Sequence, residues 1–190
     1  MEKTSGRSKY IQSVLKAAGK KPKSVAWFRK KIREFGTPKE ADLIRDGAYI
    51  TSTPTFGLLN MFMYQPKLKD KLPYYDRFPL VLPIEQYSDG FLGINLHYLN
   101  IPMRIRLLDR LIETANNKKF DESTSLNANY RALKKIDLIK PCLKRYLTGH
   151  VRSKFRKVTA DEFIVATLLP VQRFKKQSDN FVFGQSRGMI

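Results

Sequence analysis

The sequence predicts an α+β domain: a small, strongly bent antiparallel sheet, or an SH3-like barrel, surrounded by helices and extended by basic terminal arms. Three observations carry this. Strand-like segments between residues 48 and 99 are short, closely spaced and joined by turn residues. Helical periodicity brackets them on both sides. The charge, finally, is uneven: 36 Lys and Arg stand against 17 Asp and Glu, a net +19. Residues 1–35 hold 11 basic side chains against Glu2 and Glu34, a balance of +9. Residues 134–176 hold 12 against Asp137, Asp161 and Glu162, again +9, while residues 36–133 come to +1. This reads as a nearly neutral scaffold between two cationic surfaces. The expected organisation is a basic helical arm over 1–44, a core domain over 45–176 and an extended tail over 177–190.

Each element follows from local pattern. Residues 9–20 place Ile11, Val14, Leu15 and Ala18 on one helical face, and Gly19 fits a helix stop. Ser24 can cap a second helix running to Phe35, with Val25, Phe28, Ile32 and Phe35 on one side; Gly36 and Pro38 end it. Trp27 is expected in the core or as an anchor to a partner. Residues 48–52 read as a short strand stopped at Pro54, and 58–64 (LLNMFMY), apolar on both faces, as a central one. After a charged loop over 65–71, Pro79 and Pro83 push the strand over 78–84 toward a sheet edge or barrel rim. Ser88-Asp89-Gly90 turns the chain into a strand over 91–99.

Pro102 suits the first turn of a helix whose stripe is Met103, Leu107, Leu108, Leu111 and Ile112. A polar link over 117–125, a helical pattern over 127–136 and a short helix from Pro141 to Gly149 follow. Residues 154–158 read as a strand. Thr159 and Glu162 form a T-x-x-E capping box that opens a helix stopping at Pro170. Residues 171–190 show no periodicity and read as an arm.

Composition removes several function classes. With 42 % hydrophobic and 12 % aromatic residues the chain can bury a core, so wholesale disorder is out. No apolar run approaches the roughly 20 residues that span a bilayer. The first residues lack the apolar centre of a secretory signal, so the chain is expected to stay where it is made. Cys142 alone cannot form an internal disulfide or a multi-cysteine zinc site. No glycine-rich phosphate loop, H-E-x-x-H or paired-cysteine pattern is present, and no cofactor or metal is expected. His97 with Asp76 is the best pair for general-base chemistry, although packing and local hydrogen bonds explain both residues more simply. His150, among cations in TGHVRSKFRK, suits phosphate contact, and Cys142 reads as a buried thiol on an apolar helix face.

Two stretches look like surfaces for a partner. KRYLTGHVRSKFRK (144–157) interleaves Tyr146 and Phe155 with Lys144, Arg145, Arg152, Lys154, Arg156 and Lys157. The cations suit phosphate, and the aromatics either stack on a base or, the favoured reading, turn inward and leave a cationic strip. Together with Arg29, Lys30, Lys31 and Arg33 these cations are the candidate nucleic-acid or partner-binding residues. LKDKLPYYDRFPL (68–80) sets Tyr74 and Tyr75 beside charges at a loop–strand junction, with core and interface evenly weighted. So lopsided a charge destabilises a compact state unless a counter-charge is supplied. Nucleic-acid phosphate is the first candidate, an acidic protein the second. An anionic membrane comes third, because no helix joins a basic face to a broad apolar one.

Residues 61–99 carry F-x-Y-x-P-K-x-K-x-x-L-P-Y-Y-D-x-F-P-L and then G-F-x-G-x-N-x-H-Y-L. This run resembles small virion proteins of T-even-like tailed bacteriophages known as DNA end protectors. CLKRYLTGHVRSKF and the later D-E-F-x-x-A-x-x-L-P-V-x-R-F (161–174) are similar to the same group. The resemblance spans about residues 45–176 and leaves out the N-terminal basic region. It implies a non-enzymatic virion component at the packaged DNA end or head–tail junction, with double-stranded DNA or acidic phage structural proteins as partners. It implies no catalytic residue; no membrane partner is expected, since no apolar run is long enough to span a bilayer. The alternatives are a neck, tail or baseplate subunit whose basic arms dock on acidic neighbours and, least favoured, a DNA-processing enzyme using His97 and Asp76. Charge removal along 144–157 is accordingly expected to matter more than His97→Ala.

Overall fold

The computed structural model describes residues 10–45, 49–127 and 129–190. Eight strands are present among them: β1 (Ile50–Thr51), β2 (Leu59–Met61), β3 (Tyr75–Asp76), β4 (Leu80–Tyr87), β5 (Gly90–Asn95), β6 (Leu143–Leu147), β7 (Phe155–Val158) and β8 (Phe174–Lys175). Seven α-helices accompany them: α1 (Tyr10–Ala18), α2 (Val25–Phe35), α3 (Glu40–Leu43), α4 (Ile101–Ile112), α5 (Tyr130–Leu133), α6 (Phe163–Leu168) and α7 (Asp179–Met189). Six strands pair antiparallel in the order β1-β7-β2-β4-β5-β6, and β3 pairs with β8 as a separate ribbon. The fold is α+β, and its sheet stays open, with β1 and β6 at its edges, rather than closing into a barrel.

Strand alternation gives the sheet two different faces. Leu59, Met61, Leu80, Leu82, Ile94 and Val158 join the large core under the helices. Phe62, Val81, Phe91, Tyr146 and Phe155 point the other way into a small aromatic core. There the sheet curls so far that strands distant in its order meet. The Phe62 ring lies 4.8 Å from Phe155 of β7 and 5.3 Å from Tyr146 of β6, and Phe91 stacks on Tyr146 at 5.3 Å. β2 is central, as its two-sided apolar sequence predicts.

β4 is not an edge strand. It lies between β2 and β5, and the ladder with β5 shifts register between Pro83 and Glu85. That bulge takes up the missing N–H of Pro83, which is how an interior strand tolerates proline. Opposite Pro83 sits Gly93, where a β-carbon would meet Val81 Cγ1 at 2.3 Å. Gly93→Ala is therefore expected to cost about 1–3 kcal/mol by overpacking, measurable as a lower denaturation midpoint with an unchanged m-value.

The N-terminal helices form where periodicity places them. Ser24 accepts from Trp27 N at 3.2 Å, and Gly36, at φ 76°, ends α2 by donating to Arg33 O. Ile11, Val14, Phe28 and Ile32 enter the large core, with α1 and α2 packed on α6. Val25 and Phe35, at the ends of α2, remain exposed instead. Trp27 is half-buried, with the ammonium groups of Lys23 and Lys31 at 5.4 and 6.0 Å from its ring centre. The expected first helix includes Lys9, and the expected strand over 48–52 includes Ala48; both residues lie outside those described, as does Ala128 of the helical pattern over 127–136.

The strand expected over 91–99 ends at Asn95, and Leu96–Tyr98, with His97, form a 3-10 turn. Three further expected elements differ. The segment from Pro141 to Gly149 is the strand β6, not a helix, because β5 offers it a five-residue ladder from Gly90↔Leu147 to Ile94↔Leu143. The pattern over 127–136 condenses to the single turn of α5. The region 171–190 is neither an arm nor an extended tail. It contains β8 and the helix α7, which Ser178 caps by accepting from Phe181 N at 3.3 Å and which Val182 and Ser186 anchor. Arg104, on α4, is buried with no carboxylate partner among the described residues, donating to the carbonyls of Leu99, His97 and Leu169 and to Gln172 Oε1. Burial pulls its pKa down to about 10, so it stays charged at neutral pH.

Candidate nucleic-acid interface

The strip 144–157 is divided by the sheet order. β6 carries Lys144 and Arg145 at one edge, and β7 lies on the far side of β5, β4 and β2. Tyr146 and Phe155 turn inward. Lys144 holds its ammonium 4.1 Å over the Tyr98 ring, and burial lowers its pKa. Arg145 pairs with Asp89 and stacks on Tyr87 at 4.2 Å. Arg152 and Lys154 are exposed, and Lys157 is half-buried. Arg156 is 2 % exposed and forks onto Glu162, Nη2 to Oε1 at 3.0 Å and Nη1 to Oε2 at 3.2 Å. It holds the molecule together rather than facing a partner. On α2, Arg29, Lys30 and Arg33 are exposed, whereas Lys31 pairs with Glu34 at 2.6 Å. His150 hydrogen-bonds through Nδ1 to Gln65 O at 3.0 Å, tying two loops.

His97 and Asp76 do come together, with Nδ1 donating to Oδ2 at 2.8 Å. Their side chains are 0 and 1 % exposed. Asp76 also accepts from the backbone N–H groups of Phe78 and Arg173, each at 3.0 Å, and from Asn95 Nδ2 at 3.3 Å. Burial lowers the His97 pKa, and Asp76 stays below the ordinary carboxylate value because the histidine and the two backbone donors outweigh its own desolvation. The pair joins β3, β5 and the segment before β8. A general base would have to reach substrate, and of this pair only Asp76 borders a cavity, with its carboxylate already accepting four hydrogen bonds. Cys142, in the turn before β6 rather than on a helix, donates to Leu138 O, and burial pushes its thiol up to about 12.

Two adjoining cavities lie where the ribbon meets the sheet, sharing walls at Tyr64 and Tyr75. The first, about 390 Å³, adds Arg77, Arg152 and Lys175 and has no carboxylate in its lining. The second, about 320 Å³, adds Tyr74, Tyr98 and Tyr146 with Lys144, Arg145 and the carboxylate-bearing Asp76. Tyr64 is placed by two bonds of its own, its N–H donating to Arg77 O and its hydroxyl accepting from Leu147 N. It is also placed by the antiparallel bridge to Val151 that Gln65 N–H to His150 O and Arg152 N–H to Met63 O form on either side of it. Tyr75 pairs with Lys175 across the ribbon. Lys176, at φ 72°, donates through Nζ to the carbonyls of Asp70 and Leu72 and so fixes the loop that supplies Leu72 and Pro73 to the second cavity. Sequence reasoning found Tyr74 and Tyr75 but missed Arg77 and Lys175. Only the pairing of β3 with β8 makes those two neighbours.

Fold and site together define a strongly basic α+β protein with two tyrosine-walled cavities, the first lined by Arg77, Arg152 and Lys175, none of which makes an ion pair among the described residues. Among the described residues no three His, Cys, Asp or Glu side chains cluster as a metal site, and no helix is long and apolar enough to cross a membrane. The family model described as Phage T4 terminal DNA protecting protein matches residues 5–186, and the chain belongs to that family. The match takes in α1, α2 and most of α7, so it reaches beyond residues 45–176 at both ends. No curated protein and no solved structure matches the chain.

Proposed function

We propose that this protein binds the ends of linear duplex DNA within a phage particle, gripping phosphate rather than reading bases, and shields them without cutting. The observation that carries the reading is the family membership of a chain with net charge +19. In support, Arg29, Lys30, Arg33, Arg152 and Lys154 are exposed and in no ion pair among the described residues. The burial of His97 and Asp76 supports binding over catalysis. Phosphate contacts release counterions, so affinity should fall steeply with salt, by about 10³–10⁵ between 50 and 200 mM if six to ten phosphates are neutralised. Fluorescence anisotropy on blunt duplexes of unrelated sequence measures this, and an exonuclease challenge measures shielding.

The triple change Arg152→Gln, Lys154→Gln and Lys157→Gln should lower the salt slope by about 0.9 for each phosphate that is no longer neutralised. It should leave the melting temperature nearly fixed, since such surface changes cost under about 0.5 kcal/mol each. Salt-independent or strongly sequence-selective binding would count against the reading. Absence of DNA binding would favour docking of the same cations on an acidic phage protein.

A further inference from the structure

We infer that the two adjoining cavities form a pocket for one terminal nucleotide of a DNA strand, its phosphate among Arg77, Arg152 and Lys175 and its base against the tyrosines. The inference rests on the reading of the protein as a binder of DNA ends and says how an end is told from the middle of a duplex.

The first cavity is built for an anion. Arg77, Arg152 and Lys175 reach it from three separate segments, and its lining has no carboxylate. Arg77 and Lys175 make no side-chain ion pair or hydrogen bond among the described residues, and Arg152 is engaged only by Gly149 O at 3.0 Å. Three like charges converging on one hollow repel one another, and a bound phosphate reverses the sign of that interaction.

The second cavity is mainly aromatic, although Lys144, Arg145 and Asp76 also line it, the Asp76 carboxylate being taken up by four internal donors. Tyr64, Tyr98 and Tyr146 are buried and form its rigid part, while Tyr74 and Tyr75 are half-buried. Tyr74 is braced by edge contacts to Phe174 and Phe181, at 6.4 and 6.2 Å. Aromatic faces of this kind accept any base by stacking, with little sequence preference. At about 320 Å³ the space stands at the small end of the roughly 300–1,000 Å³ usual for small-molecule sites, too small for a base pair with its backbones.

Because Tyr64 and Tyr75 wall both cavities, a phosphate in one and a base in the other can belong to the same nucleotide. An interior nucleotide reaches such a pocket only after unpairing and unstacking. A frayed terminal one has already lost most of that stabilisation. End preference then follows from the size of the pocket, with no base reading.

The test uses the full chain and two sets of probes. Titration compares a deoxynucleoside 5′-monophosphate with inorganic phosphate and with the deoxynucleoside alone. Anisotropy compares an open-ended duplex with the same duplex closed by hairpin caps. The monophosphate should bind at least ten-fold more tightly than either fragment. Arg77→Gln with Lys175→Gln, and separately Tyr75→Leu, which keeps apolar bulk without the aromatic face, should each weaken monophosphate binding at least ten-fold. Each should also weaken binding to the open duplex by at least ten-fold more than to the capped one. Melting curves confirm that the variants fold; should Tyr75→Leu not fold, the exposed pair Arg77→Gln and Lys175→Gln decides alone.

Equal binding of monophosphate and inorganic phosphate would overturn the base pocket. So would competition by an acidic peptide as effective as the nucleotide. If the wild type prefers open ends and the variants keep that preference, the pocket is wrong while end binding stands. If the wild type shows no preference for open ends, end binding is wrong and the inference falls with it.

Discussion

Glu162→Ala should be the most destabilising single change in the hydrophobic layer between sheet and helices, lowering stability by about 3–5 kcal/mol. The carboxylate is fully buried and serves four donors: both terminal nitrogens of Arg156, Gln12 Nε2 at 2.8 Å and Thr159 N at 3.3 Å. Its removal leaves a guanidinium in the core with no counter-charge. For a chain of this size each kcal/mol moves the melting temperature by about 2–4 °C, so a drop of roughly 6–20 °C is expected. Replacing both partners by apolar residues, Arg156→Met with Glu162→Leu, should recover most of the loss, because no buried charge is then orphaned. If Glu162→Ala melts within about 2 °C of the wild type, the pair is not the clamp its geometry describes.

Asp76→Ala, in the buried network beside the ribbon, should cost at least as much, and it carries a signature in pH. Four donors lose their acceptor: Phe78 N, Arg173 N, His97 Nδ1 and Asn95 Nδ2. At roughly 1–3 kcal/mol for each unsatisfied buried group, a loss of at least about 4 kcal/mol is expected. Arg173 N–H is one of the four, so amide exchange should quicken first in β8.

In the wild type, burial lowers the His97 pKa below the ordinary imidazole value of 6.5, so the unfolded chain takes up its proton before the folded one does. The stability this provides is complete above 6.5 and is lost as pH falls through the folded value. Asp76, lowered from 3.8, acts in the same direction at more acidic pH, its contribution vanishing below its folded pKa. Denaturant midpoints should therefore decline as pH is taken below about 6.5. His97→Gln should flatten the upper part of that decline, and a slope equal to the wild type's would exclude His97 as its source.

Where sequence and structure agree, the signal was local. The cap Ser24, the first-turn Pro102, the glycine after α2 and the two-sided apolar run of β2 each state their conformation within a few residues. Where they part, a distant partner decides. The segment of β6 is rich in Leu, Lys and Arg, which favour helix, and only Tyr146 of its five residues is buried, so nothing in it announces a strand until β5 is alongside. α7 contains two glycines and a weak apolar stripe, and its start was legible only in the Ser178-Asp179 pair. Arg156 read as one more surface cation because its partner Glu162 was assigned wholly to the capping box. The tyrosine-rich half of the candidate pocket was visible as a cluster in 68–80, while its cationic half depends on Lys175 lying opposite Tyr75.

That pairing also orders events during synthesis. The pocket draws on residues 63–77, 98, 144–152 and 175, so most of its side chains exist long before the last wall does. A nascent chain that has passed Arg152 already carries 29 of the 36 basic side chains, but the Tyr75 strand has no ribbon partner and Asp76 still lacks the Arg173 N–H. Loose electrostatic attraction to a polyanion is thus available early, whereas the pocket proposed for a strand terminus is complete only with β8. Topology makes translation itself the timer of that completion.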